Sequence, residues 1–238
     1  MNAQDADLGR LLTEVCAANQ ELSARRLARF TFGNASGIDR ASGLVVIKPS
    51  GVKYSQLRPE NMVVVDLAGS VLRGDMRPSS DLPTHLELYR AFDHVGGVVH
   101  THSHYATVWA QAQRAIPCLG TTHADAFHGE IPVTKHLNDG DIAHEYEANT
   151  GREIVRCFAG RDARHVPAVL VAGHAPFCWG ENVREAVETA EMLEEIARMA
   201  FHTMTLNAAA TPLPDALAEK HFTRKHGPGA YYGQGKPA

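Results

Sequence analysis

Two histidines separated by one residue, His100 and His102, close the apolar run Gly97-Val98-Val99. Residues two apart on an extended strand share a face, so the two imidazoles are predicted to converge on one ion. Ser103 reads as the cap of a helix over residues 105–113, which turns His104 away. Two further residues complete a candidate metal site. His174 follows a second apolar strand, and Asp81 lies at a helix start in Ser79-Ser80-Asp81-Leu82-Pro83. Three imidazoles, a nearby carboxylate and an open position for substrate suit a catalytic zinc, and imidazole suits other divalent transition metals as well. A lone His-x-His pair is weak evidence; this one gains weight from its place at the end of a buried strand.

Other residues near predicted strand ends are suited to an anion. Lys48 follows the apolar strand Leu44–Ile47 and is read either as overlooking a cleft, with Ser50-Gly51 offering a hydroxyl and a close backbone N–H, or as a solvated lysine beside a plain turn. The helix beginning at Leu82 presents free N–H groups and a positive dipole end, beside the hydroxyls of Ser79 and Ser80. Asn34, in Gly33-Asn34-Ala35-Ser36-Gly37, is read as a turn residue that either aims its amide at a ligand or only shapes the turn. Asp125, in the polar segment Thr121–Gly129, is a general acid or base or a local cap. Tyr231-Tyr232 stand out in a glycine-rich tail and are read either as docking or catalytic residues or as part of a disordered tail.

The elements that carry these residues follow from periodicity. Helices are expected over residues 6–29, from Leu82 to about Phe92, over 139–160 with Ile142, Ile154, Val155 and Phe158 inward, from Asn182 to Leu206, and over 215–226. Strands are expected at Phe30–Phe32, Leu44–Lys48, Asn61–Leu67 with Ser70–Arg73, Gly97–Thr101, Ile131–Thr134, Pro167–Ala172 and Ala175–Gly180. Met192 and Met199 are assigned to the core or a subunit contact. No repeat or second-domain boundary is visible, so residues 1–238 read as one domain. The chain has 238 residues, a net charge of -4 and 44% hydrophobic residues. No basic cluster suggests nucleic acid as a partner, and no apolar run suggests a membrane. Four cysteines without a CxxC pair, and no leader-like N-terminus, read as reduced thiols of a cytoplasmic protein.

Taken together, these motifs resemble the class II aldolase family, and within it the sugar-phosphate 4-epimerases. The resemblance runs from about residue 10 to Gln234. It is carried by Thr31–Ser36, Val46–Val52, Pro78–His85, Gly97–Ser103, Gly120–Asp125, Gly173–Phe177, Arg224–Gly227 and Ala230–Gln234. It implies an α/β/α domain with a central, largely antiparallel sheet. It also implies a homotetramer with active sites between subunits, to which residues 208–238 of a neighbouring chain contribute. The resemblance further implies zinc on His100, His102 and His174 with Asp81 beside it. A substrate phosphate would lie among Asn34, Ser50, Gly51, Ser79 and Ser80, with Lys48 supplying charge. Asp125 and Tyr232 correspond to the epimerase acid/base pair, with Thr121 and His221 as supporting candidates. Aspartate at position 81, where the aldolases have glutamate, favours epimerisation. The implied reaction interconverts L-ribulose 5-phosphate and D-xylulose 5-phosphate, phosphorylated ketopentoses, by opening and re-forming the C3–C4 bond. The rival readings are an aldolase that releases its aldehyde and a non-catalytic interaction module of the same fold.

Overall fold

The structure is a computed structural model that describes residues 3–227 and 229–233, with side chains from Asp5 onward. Pro228, Gln234 and residues 235–238 lie outside the described residues. In chain order the elements are α1 (Ala3–Ala24), β1 (Asn34–Asp39), β2 (Leu44–Ile47), β3 (Val63–Val65), β4 (Val71–Arg73), α2 (Leu82–Ala91), β5 (Gly97–His100) and α3 (His104–Gln111). They continue with α4 (Thr121–Ala124), α5 (Asp139–Ala143), α6 (Tyr146–Cys157), β6 (Ala168–Leu170), β7 (Pro176–Gly180), α7 (Val183–Leu206) and α8 (Asp215–Thr223).

Seven strands form one sheet in the order β4-β3-β2-β1-β5-β7-β6, and every pairing in it is antiparallel. Helices cover both faces, as β1 illustrates. Successive strand residues point to opposite faces. A Cβ on Gly37 would sit 2.9 Å from Leu11 and 3.0 Å from Val15 of α1, whereas the Ser36 hydroxyl meets His85 and Tyr89 of α2. α1 and α2 therefore lie on opposite sides. α7 joins the α1 side by close approach, because Cβ atoms on Gly97 or Gly180 would strike the backbone of Val183 or Ala186. The core is continuous between these layers, and Val45, Val46, Ile47, Val98, Phe177 and Trp179 are fully or almost fully buried.

Several local expectations change. Gly33–Gly37 was expected as a turn after a strand at Phe30–Phe32, but the strand is Asn34–Asp39 and the preceding segment turns. Phe30 and Gly33 both adopt positive φ, and the Tyr54 hydroxyl is shared between the carbonyl oxygens of Phe32 and Gly33. The small residues of β1 mark a helix packed closely on the strand, not a loop. Residues 139–160 form two helices, broken where Glu145 adopts φ 52, and Ile142 faces outward. Ile131 and Val133 make isolated bridges to Ile116 and Leu170 in place of a strand. Met192 and Met199 are 39% and 42% exposed, which removes them from the core of this chain.

Antiparallel pairing decides what comes together. The starts of β1 and β7 and the ends of β2 and β5 fall at one end of the sheet, with Asn34 paired to His100 and His100 to Phe177. The loop before α2 is stitched to the same end: the Ser79 amide donates to the Lys48 carbonyl and the Ser50 amide to that of Arg77.

Candidate metal centre and active-site cleft

His100 is buried at the end of β5. Its ring is stacked on Phe177 with centroids 4.3 Å apart, and its Nδ1 lies 2.9 Å from the Pro176 carbonyl. That contact fixes a proton on Nδ1 and leaves Nε2 with a free lone pair, 3.2 Å from Nε2 of His102. His174 stands in the turn between β6 and β7. Gly173 at φ 72 reverses the chain, and the Val171 amide closes the turn on Ala175. The His174 ring lies 4.9 Å from that of His100 and 5.0 Å from that of His102. One nitrogen from each of the three rings falls within 4.8 Å of the others, a set able to hold a metal ion.

The chemistry of this donor set fits a divalent ion. Burial and the neighbouring His100 and His102 push His174 down to about 4, against a smaller opposing pull from Asp81. Burial and His100 lower His102 as well. Neutral imidazoles are the ligating form. Nδ1 of His174 is buried without a hydrogen-bond partner. A Nδ1–H held by a backbone carbonyl, as in His100, is the usual support of a ligating histidine.

Asp81 is the residue before α2, but its carboxylate does not cap the helix. Instead it accepts a hydrogen bond from Asn34 Nδ2 at 2.6 Å, and the same amide reaches Ser79 Oγ at 2.9 Å. Burial raises the Asp81 carboxyl. His100, His85, the Asn34 bond and His174 together outweigh it and hold Asp81 below the usual carboxylate range. Lys48 is 1% exposed. Its ammonium reaches the Pro49 carbonyl at 3.3 Å and lies over the Tyr54 ring at 5.2 Å. Burial lowers its pKa, and Asp81 opposes the shift.

These residues share one cleft of about 400 Å³. Asn34, Lys48, Ser50, Gly51, Ser79, Ser80, Asp81, His100, His102 and His174 all line it. An ammonium, hydroxyls and backbone N–H groups thus share one cleft with three imidazoles and a carboxylate, in a space of the size that holds a small molecule. Thr31, Phe32, Gly33, Tyr146 and Glu147 also line the cleft. Glu147 was not singled out from sequence. It sits at the start of α6, and its carbonyl accepts from Thr84 at 2.6 Å; nothing in its polar neighbourhood distinguished it.

Asp125 and Tyr232 do not line this cleft. They form a second cluster with α8. Asp125 accepts from Arg224 through both oxygens, at 3.0 and 2.6 Å. His221 Nδ1 lies 3.0 Å from it and Lys225 Nζ 3.4 Å. The Tyr232 ring lies 4.4 Å from Lys225 Nζ and 5.1 Å from the Arg224 guanidinium. Burial raises Asp125, but bonds from Arg224 and His221 and the charge of Lys225 win and hold it at about 2. Thr121 begins α4, and its carbonyl accepts the Asp125 amide.

Comparison with known proteins adds a context for this geometry. Residues 13–201 match the class II aldolase and adducin N-terminal domain. The L-ribulose-5-phosphate 4-epimerase UlaF of Salmonella paratyphi B is 51% identical over 225 residues, covering 94% of this chain and 99% of the relative. Among solved structures, an L-fuculose 1-phosphate aldolase superposes with a TM-score of 0.77 at 26% identity, over 90% of this chain and 95% of its own. YgbL of Klebsiella pneumoniae superposes with a TM-score of 0.71 at 28% identity, over 90% and 98% of the two chains.

Proposed function

Because the chain belongs to the class II aldolase and adducin family, we propose that it interconverts L-ribulose 5-phosphate and D-xylulose 5-phosphate by reversible cleavage of the C3–C4 bond. The observation that carries this reading is the shared cleft, in which three convergent imidazoles face a lysine and serine-rich anion pocket. His100, His102 and His174 hold a divalent ion, zinc by preference, with Asp81 beside it. When bound, the ion supplies Lewis-acid stabilisation of the negative charge that develops at the C2 and C3 oxygens.

The C4 hydrogen of a ketopentose phosphate is not acidic, so inversion cannot proceed by removing it. Loss of the C4 hydroxyl proton and cleavage of C3–C4 give the enediolate of dihydroxyacetone and glycolaldehyde phosphate. Asn34, Ser50, Gly51, Ser79, Ser80 and Lys48 keep the phosphate anchored while the aldehyde turns. Re-addition to its other face, with return of a proton to the C4 oxygen, gives the epimer. Inversion needs a proton carrier on each face, and Asp125 and Tyr232 serve these roles, with His221 and Thr121 holding Asp125 in place. The pair stands apart from the cleft of its own chain, so the Asp125–Tyr232 half of one subunit serves the cleft of another in a homotetramer. Four free cysteines are in keeping with a cytoplasmic enzyme. No helix among the described residues is long and apolar enough to cross a membrane.

The test is incubation of zinc-loaded protein with L-ribulose 5-phosphate, following D-xylulose 5-phosphate and free glycolaldehyde phosphate together. Chelator-sensitive xylulose product without free aldehyde supports the epimerase. Free aldehyde without xylulose product moves the chain to the aldolases, the activity named for its structural neighbour.

A further inference from the structure

We infer that Arg224 is the positioning residue that binds the two acid/base groups, Asp125 and Tyr232, into one unit. Its guanidinium grips both carboxylate oxygens of Asp125. Its own backbone carbonyl accepts the amides of Tyr231 and Tyr232, at 2.9 and 3.0 Å. The same guanidinium stacks near the Tyr232 ring. One residue therefore fixes the carboxylate through its side chain and the phenol through its backbone. A planar guanidinium with two parallel N–H···O bonds sets carboxylate orientation as well as charge, which a lysine does not.

The charged groups around Asp125 come from every element packed on it. His221, Arg224 and Lys225 face the carboxylate from α8 and its C-terminal turn, and His226 Nε2 holds the Asp125 carbonyl at 2.9 Å. On α4 itself, His123 is turned away to the Gly129 carbonyl. Arg224 alone makes two direct bonds to the carboxylate, so it dominates both aim and protonation. Asp125 is thereby held as the carboxylate, the form that accepts the first proton from the C4 hydroxyl. Tyr232, tied to the same residue, is the second proton carrier, with the Arg224 guanidinium and Lys225 Nζ beside its ring.

This inference rests on the assignment of Asp125 as a proton carrier in the reaction proposed above. Its test uses the full-length zinc-loaded protein and variants Arg224→Gln, Arg224→Lys, Asp125→Asn and the Arg224→Gln/Asp125→Asn double variant. Arg224→Gln should lower kcat by about 10- to 100-fold, part of the ~10²–10⁴ that a positioned acid or base contributes, with a smaller change in KM and full zinc content. A ¹³C titration of the Asp125 carboxyl, which needs no turnover, should move up by about one unit or more in Arg224→Gln. Arg224→Lys should return that titration toward wild type and recover part of kcat. The double variant should be no slower than Asp125→Asn. An unmoved carboxyl titration, or a double variant whose losses multiply, overturns the role of Arg224. A wild-type protein that forms no xylulose 5-phosphate, or an Asp125→Asn variant at full rate, overturns the reading beneath it instead.

Discussion

Replacing Lys48 with methionine should affect stability and phosphate binding in opposite directions. Lys48 is almost fully buried, and its one hydrogen-bond partner among the described residues is the Pro49 carbonyl at 3.3 Å. An ammonium carries three donors, so without substrate it is short of partners. Its folded-state pKa is lowered by burial. A lysine shifted that way costs stability below its folded pKa, and the cost fades as pH rises toward the unfolded value of 10.5. Methionine of similar length removes the charge. Exchanging a buried ion pair for apolar groups of like volume is neutral or gains roughly 1–4 kcal/mol, and among the described residues Lys48 makes a hydrogen bond to the Pro49 carbonyl but no salt bridge that methionine would break. The low end applies here, because Asp81 and the Tyr54 ring already compensate part of the cost. Lys48→Met should therefore raise stability by about 1 kcal/mol, or about 2–4 °C in Tm for a chain of this size. It should also remove a charge-assisted bond worth about 1.5–3 kcal/mol, weakening phosphate binding roughly 10- to 100-fold. The assay is thermal unfolding at neutral pH with and without inorganic phosphate, together with KM for L-ribulose 5-phosphate. A variant that melts below wild type without phosphate, and gains as much from phosphate as wild type does, refutes the reasoning.

Other consequences follow from particular contacts. Tyr54→Phe removes the hydroxyl that ties Phe32 and Gly33; it should cost about 1 kcal/mol in denaturant unfolding and raise KM, because that segment borders the cleft. Gly97→Ala would place a Cβ 2.4 Å from Val183 Cα, and overpacking of this kind should cost at least about 1–3 kcal/mol by the same assay. Asp125 has its folded pKa depressed from 3.8 to about 2. Its contribution is fully present above the unfolded value and is lost as pH falls through the folded one. The docking of α8 should therefore loosen only between about pH 4 and pH 2, read from the ring signals of Tyr231 and Tyr232; release near neutral pH would contradict it.

The convergence of His100 and His102 was legible in the sequence because a strand's period of two is rigid. His100 and His102 had to share a side, and an apolar run had to deliver them. The meeting of Lys48 with the Ser79-Ser80 pair in the cleft was legible for a related reason: they sit where a strand ends and a helix starts, positions whose backbone geometry is local. β1 was misread because Gly37 is small for the sake of α1, which packs directly on the strand, and composition alone does not separate that from a turn. The bond from Arg224 to Asp125 spans 99 residues, and Glu147 enters the cleft through the packing of α6 on α2. Neither leaves a local trace. The break at Glu145 was hidden because a single left-handed residue needs no glycine to occur.

The most direct test of an active site divided between two chains is complementation. His102→Asn disables the metal half and Asp125→Asn the acid/base half. Each homo-oligomer should be inactive toward L-ribulose 5-phosphate. Oligomers mixed at equal ratio should recover about a quarter of the wild-type rate, because one cleft in four pairs an intact metal half with an intact acid/base half from another copy in a closed cyclic assembly. Mixed oligomers no more active than their parents would contradict the account.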